Sequence, residues 1–324
     1  VAFPTRGPLS APVSEPPSNV VGVPRSVFSR RPRLLRAAVA CAVLLGLVAY
    51  VAIHVLSGGS GPPRCVARAE GGDVLLDPEQ AVNAATIEAV AAARGLPERA
   101  VTIALATALQ ESGLRNITHG DRDSLGLFQQ RPSQGWGTAR QIQDPVYAAG
   151  KFYDHLVKVP GYSRLPLTVA AQRVQYSGFP QAYAKHETEA VVLTATLTGR
   201  SAAAFTCPGP PDDGKTGDPG RVRAALEEEF GADARSRLSV TGQGGGKRAG
   251  SSREVLVPVA DASARGGRTE RGWELAYWAV AHSDELRIER VSYGKHVWSA
   301  RNSGDGWRTS DKSSGSDIRL GLTR

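Results

Sequence analysis

The chain has 324 residues, of which 39 are Lys or Arg and 31 are Asp or Glu, for a net charge of +8. Six Arg against one Glu fall in residues 1–36, whereas residues 64–208 hold fourteen basic and thirteen acidic residues. The positive charge therefore belongs to a basic tail. This excludes a nucleic-acid-binding domain, which would gather basic residues on a folded face.

No methionine is present and the sequence begins at Val1, which we expect to reflect translation from a non-ATG start codon in a high-GC bacterium. Residues 1–36, rich in Pro, Ser and Arg, are expected to form a disordered basic cytoplasmic tail. Residues 37–56 (AAVACAVLLGLVAYVAIHVL) carry no formal charge, with His54 near the far end. About 20 apolar residues span a bilayer core, so this run reads as a transmembrane helix. Arg25, Arg30, Arg31, Arg33 and Arg36 precede it and GGSGPP follows it. The positive-inside rule then puts the N-terminus in the cytoplasm and the bulk outside, with the cytoplasmic membrane as a partner of the basic tail. A cleaved signal peptide is the alternative. Its apolar region runs to roughly 7–15 residues, shorter than this one, so an uncleaved anchor is expected.

Cys41 lies inside the span, whereas Cys65 and Cys207 flank residues 64–208. In an oxidising compartment that placement predicts a disulfide joining the two ends of one domain. Closing so long a loop stabilises by roughly 4–5 kcal/mol on the chain-entropy model. Two free buried thiols are the alternative.

Between these cysteines the pattern is mostly helical. Asp77 as N-cap, Pro78 in the first turn and Gly95 as stop predict a helix over residues 78–94. Residues 97–112 repeat the plan and end at Gly113, and residues 144–159 again open on a capping Asp and a Pro. Residues 167–174 and 181–197 complete five helices, which predicts an all-α domain over residues 64–208.

Residues 106–127, ATALQESGLRNITHGDRDSLGL, are followed by FQQ. They place Glu111 at the end of an apolar helix, then a polar turn, then a Gly-Leu-Phe-Gln box. This order resembles the catalytic core of soluble lytic transglycosylases and goose-type lysozymes, where Glu-Ser is followed by Gly-Leu-Met/Phe-Gln. GLFQQRPSQGWGT and DPVYAAGKFY are closer still to membrane-anchored lysozyme-like proteins of actinobacteria. The resemblance covers roughly residues 64–208 and implies a lysozyme-like fold that cleaves peptidoglycan glycan strands. It assigns Glu111 as general acid/base, Ser112 to substrate or intermediate stabilisation, and Gln129 to the cleft wall. Tyr176 in VQYSGFP matches the tyrosine of the family's Ala-Tyr-Asn-Ala-Gly motif. Ser177 replaces its asparagine, which helps to hold the substrate's acetamido group.

The chemistry agrees with that assignment. The leaving glycosidic oxygen must be protonated, so the acid needs a carboxyl that resists ionisation. Glu111 sits in the last turn of its helix, where the macrodipole opposes negative charge, and Leu109 and Leu114 add desolvation. Asp121 and Asp123 are candidates for a second carboxylate that activates water, which would give a lysozyme. Their Gly-Asp-x-Asp-Ser setting is also good turn chemistry, and without a base the sugar's own 6-hydroxyl attacks, as in a transglycosylase. We favour transglycosylation. Trp136, between two glycines, either offers a face to a sugar ring or pins its loop to the core.

Metal and cofactor chemistry is not expected. The histidines lack paired metal spacing, and the Gly-rich stretch from Thr241 reads as a flexible loop. Residues 209–220 (GPPDDGKTGDPG) read as a linker, and residues 221–324 as a small α+β accessory domain. A helix over 221–230, strands over 237–241 and 254–259, an amphipathic helix over 273–286 and a hairpin around Tyr293-Gly294 make up that domain. Wall anchoring, regulation or an envelope protein partner are its candidate roles. The expected architecture is thus an all-α lysozyme-like domain, preceded by a single transmembrane helix and followed by a small α+β domain. The competing function is a non-catalytic lysozyme-like module that binds wall glycan or scaffolds an envelope complex.

Overall fold

The computed structural model describes residues 31–56, 63–231, 253–259, 266–311 and 315–324. The expected disordered tail up to residue 30, the strand over 237–241 and the loop from Thr241 lie outside them. The chain divides into two units, residues 1–60 and residues 61–324.

The first unit contains helix α1 (Arg31–Leu56). Its stretch Leu35–Ala52 is long and apolar enough to cross a membrane, because 18 residues at about 1.5 Å each rise about 27 Å. Its large apolar side chains, Leu44, Leu45 and Val48 among them, are exposed.

The second unit opens on strands β1 (Cys65–Ala69) and β2 (Gly72–Leu76). They form an antiparallel hairpin with Ala67 opposite Val74. Gly71 (φ 109°) and Gly72 (φ 125°) make the turn, in conformations that a Cβ would disfavour. Strand β3 (Phe205–Thr206) returns to pair with Val66 and Ala67, completing a sheet of order β2-β1-β3. The Cys65–Cys207 disulfide is present beside that pairing.

This sheet corrects the expected all-α domain. The described residues include eight strands in two antiparallel sheets, and three of those strands belong to residues 64–208. Strand β1 hides Cys65 and Ala67 while turning Arg68 outward, the alternation of a half-buried strand. The strand exists because a segment about 140 residues away pairs with it, which no local pattern reveals.

Helices α2 (Pro78–Ala93) and α3 (Glu98–Ser112) form the centre. Around them lie α4 (Ala139–Ile142), α5 (Pro145–Leu156), α6 (Leu167–Gln175) and α7 (Glu187–Leu197). Asp144 caps α5 by accepting from the Val146 and Tyr147 amides at 2.9 and 3.3 Å. Helix α3 packs against α5, α6 and α7, whereas α2 packs against α3 and α5.

The C-terminal part contributes α8 (Pro219–Phe230), α9 (Arg268–Ala281) and strands β4 (Glu254–Val257), β5 (Ile288–Gly294), β6 (His296–Ser299), β7 (Arg308–Thr309) and β8 (Gly315–Leu322). The strands make a second sheet of order β4-β8-β5-β6-β7. Trp273, Ala276, Tyr277, Val280 and Ala281 of α9 are buried. Leu275, Trp278 and Ala279 are buried as well, because α9 contacts both α2 and the sheet.

These parts share one core cluster. Trp307 Nε1 donates to Phe205 O at 2.7 Å, Trp298 Nε1 to Thr206 Oγ1 at 3.0 Å, and the Ala204 amide to Tyr277 Oη at 2.8 Å. Gly199 (φ 79°) touches the first turn of α9 so closely that a Cβ would fall 2.0 Å from Glu270 O. Residues 209–220, expected as a linker, also touch the fold: the Gly217 amide donates to Thr323 O at 3.0 Å. A buried ion pair, Glu229 to His282 at 3.0 Å, joins α8 to the end of α9. Burial alone would lower the His282 pKa, but the Glu229 carboxylate overrides it and raises the value to about 9.

Candidate functional site

Glu111 is the penultimate residue of α3. That helix stops there because Gly113 (φ 64°) and Leu114 (φ 60°) both turn left-handed. The Gly113 amide donates to Leu109 O at 3.0 Å and the Leu114 amide to Ala108 O at 3.1 Å, closing a Schellman-type end. The freed carbonyls of Gly113 and Leu114 accept from Gln80 and Asn83 of α2, each at 2.8 Å.

Ser112 ties this helix end to the Gly-Leu-Phe-Gln loop. Its hydroxyl lies 2.8 Å from Leu127 O and 3.1 Å from Ala108 O, and it accepts from the Arg115 amide at 3.2 Å. These contacts fasten the loop to the end of α3. Gly126 (φ 74°) meets the backbone of Ile142, where a Cβ would fall 2.6 Å from the carbonyl oxygen. Phe128 stacks on Phe152 with centroids 4.7 Å apart. Gln129 (φ 47°) donates to Gly126 O at 3.3 Å. Its amide oxygen crowds Gly120, where an added Cβ would fall 1.8 Å from it.

Tyr183, in the 3-10 turn Pro180–His186, is fully buried. Its hydroxyl donates to Glu111 Oε1 at 2.7 Å. The Gln175 side chain lies close enough to the Glu111 carboxyl to favour its ionised form, and its Nε2 donates to Phe128 O at 2.7 Å. Burial pushes the Glu111 pKa up, the Tyr183 hydrogen bond and Gln175 pull it back, and the net result is a raised value. Tyr183 is raised in turn, first by burial and then by the neighbouring Glu111 charge. The arrangement is a half-buried carboxyl that retains its proton above the usual carboxylate range, held in place by a phenol that remains neutral.

The two further carboxylates are not joined to it by any hydrogen bond among the described residues. Asp123 accepts from Arg131 Nε at 2.8 Å, the Ser133 amide at 2.8 Å and Ser133 Oγ at 3.0 Å. The Arg131 hydrogen bond first, then those from Ser133, hold its carboxyl well below the usual range. Asp123 thus clamps two loops together through Arg131 and Ser133. The Asp121 side chain is 94% exposed, and among the described residues its ion-pair partner is Arg122, at 4.0 Å.

Trp136 is partly buried and stacks on His155, with centroids 4.2 Å apart. Its carbonyl accepts from Tyr147 Oη at 3.2 Å. Tyr176 ends α6 in a left-handed conformation (φ 51°) and is 82% exposed. Ser177 Oγ accepts from the Phe179 amide at 3.1 Å and lies within hydrogen-bonding reach of Tyr183.

The elements therefore bring Glu111, Ser112, Gln129 and the end of α6 into one region. Gln175 and Tyr183 are members that sequence reasoning missed. Tyr183 lies 72 residues from Glu111 in sequence, and its only local sign is an aromatic hydroxyl in the otherwise small and polar run QAYAKH. Among the described residues, no group of three or more His, Cys, Asp or Glu is placed to hold a metal ion.

No curated protein matches the chain. Residues 221–317 match the family described as VldE, C-terminal domain, so the part from α8 to the start of β8 is similar to that domain, while Glu111 and its partners lie outside the match.

Proposed function

We propose that the chain cleaves peptidoglycan glycan strands as a member of the lysozyme-like superfamily, with Glu111 as its acid and base. The observation that carries this reading is the Glu111 carboxyl itself: half-buried, raised in pKa, oriented by Tyr183, and near Gln175, which holds the Gly-Leu-Phe-Gln loop through Phe128 O. The protonated carboxyl gives its proton to the leaving glycosidic oxygen as the bond to C1 breaks. The resulting carboxylate takes the proton of the sugar's 6-hydroxyl, whose oxygen bonds to C1. That closes a 1,6-anhydro ring and restores the acid. Asp123, bound to Arg131 and Ser133, and Asp121, out in solvent, favour this outcome over hydrolysis.

Helix α1 fits a single-pass anchor, with Arg31, Arg33 and Arg36 on the cytoplasmic side and residues 64–324 outside facing the wall. Residues 221–324 serve as an accessory region for an envelope partner. Ser177, standing where similar enzymes carry asparagine, favours a second reading: a non-catalytic module that binds wall glycan.

Incubation of purified peptidoglycan with the full chain, followed by mass spectrometry of the soluble muropeptides, separates these readings. The expected products carry 1,6-anhydro ends and vanish with Glu111→Gln. Reducing ends would indicate a hydrolase. Wall binding without products, equal in both chains, would support the non-catalytic module.

A further inference from the structure

Helix α6 leads from the carboxyl site to a second feature. Gln175 lies beside the Glu111 carboxyl, and the next residue, Tyr176, lines a cleft of about 320 Å³ together with His155, Lys158, Val159, Pro160 and Arg173. That volume is at the lower end of the range for small-ligand sites, about 300–1,000 Å³.

The cleft has two aromatic elements. The His155 ring is stacked on Trp136, and burial, then the Lys158 charge, lower its pKa and favour the neutral ring. Tyr176 is 82% exposed, and Phe179, three residues further on in sequence, is 79% exposed. Large aromatic side chains so open to water, on a loop fixed by hydrogen bonds from the Gln172 side chain to Ser177 O and from the Phe179 amide to Ser177 Oγ, suit the apolar face of a sugar ring.

The cleft is also cationic. Lys158 and Arg173 both line it, and neither has a carboxylate within 4.0 Å among the described residues. The nearby acid Asp154 is already engaged by Arg94 at 2.7 Å and Lys151 at 3.9 Å. An aromatic cleft with two uncompensated cations selects a ligand that combines a sugar face with an anion. A neutral glycan would leave both charges without partners.

We propose that this cleft is a subsite for an acidic sugar, in which Lys158 and Arg173 bind a carboxylate borne by the glycan while Tyr176 and His155 contact the ring. The inference rests on the reading of the Glu111 site as a glycan cleft and adds which sugar occupies the neighbouring position. In a peptidoglycan strand the carboxylate belongs either to the lactyl ether of muramic acid or to the peptide attached to it.

The test measures equilibrium binding to the full chain in detergent, in a Glu111→Gln background so that ligands persist. The probes are a peptide-free tetrasaccharide of alternating N-acetylglucosamine and N-acetylmuramic acid, its peptide-bearing counterpart, and chitotetraose as the neutral control. At least one acidic probe should bind tenfold or more tightly than chitotetraose, and which one does so identifies the source of the carboxylate. The preference should fall below threefold in Lys158→Ala/Arg173→Ala and persist in the charge-conserving Lys158→Arg/Arg173→Lys. Equal binding of all three probes, or an unchanged preference in the alanine pair, would overturn the proposal. Failure of the enzyme reading looks different, because the preference would then remain while wild-type chain releases no muropeptides.

Discussion

Glu111 shows how one side chain acquires an acid's properties from its surroundings. Burial raises its pKa, and the donors Tyr183 and Gln175 restrain the rise because they stabilise the ionised form. The balance sets the pH at which the proton is lost, and hence the alkaline limb of any activity that needs the protonated acid. Removing the Tyr183 hydroxyl takes away a donor to the carboxylate, so the pKa should rise further. Tyr183→Phe is therefore expected to move the alkaline limb of muropeptide release to higher pH, read from initial rates across pH 4–9. A limb that stays in place or moves down would show that the 2.7 Å contact does not govern Glu111. Ser112 acts differently. Its hydroxyl is occupied by Leu127 O and Ala108 O, which makes it a fastener between helix and loop.

At the scale of elements, the end of α3 and the loop it meets are shaped by two glycines with different demands. Gly113 has open space around it and needs only its left-handed φ, so Gly113→Ala should cost roughly 1–2 kcal/mol. Gly126 has both a left-handed φ and the Ile142 carbonyl where its Cβ would be, so Gly126→Ala should cost about 3 kcal/mol. Denaturant unfolding of the two variants should give that order, and equal costs would show that the loop yields freely. The same local logic explains what could be read in advance. Helix ends at residues 77, 113 and 144 were legible because Asp, Pro and Gly act within one turn of where they stand. Glu111 and the Gly-Leu-Phe-Gln loop were legible as a motif for the same reason. The sheet β2-β1-β3 was not, since β3 has only two residues and pairs with Val66 and Ala67 from far along the chain. Tyr183 escaped for the same cause. Its meaning comes from a partner on another element.

On the scale of the whole molecule, the boundary suggested by composition at residues 209–220 does not divide the packing. Strand β3 carries hydrogen bonds from Trp298 and Trp307, Gly199 abuts α9, and α9 lies between α2 and the second sheet. Residues 61–324 group as one compact unit, although the family match begins at residue 221, within α8. Parts that share so much buried surface should lose it together, because opening either one exposes the apolar side chains of the other. Calorimetry of the full chain in detergent is therefore expected to show one unfolding transition for this unit. Reducing Cys65–Cys207 releases a constraint on a loop with a sequence separation of 142 and should weaken the unit by roughly 2–5 kcal/mol. Since the disulfide lies beside β3, which both parts hold, reduction should move the whole transition to lower temperature. Two separable transitions, with only one responding to reductant, would mean that the C-terminal part folds independently and that its aromatic contacts to β3 contribute little.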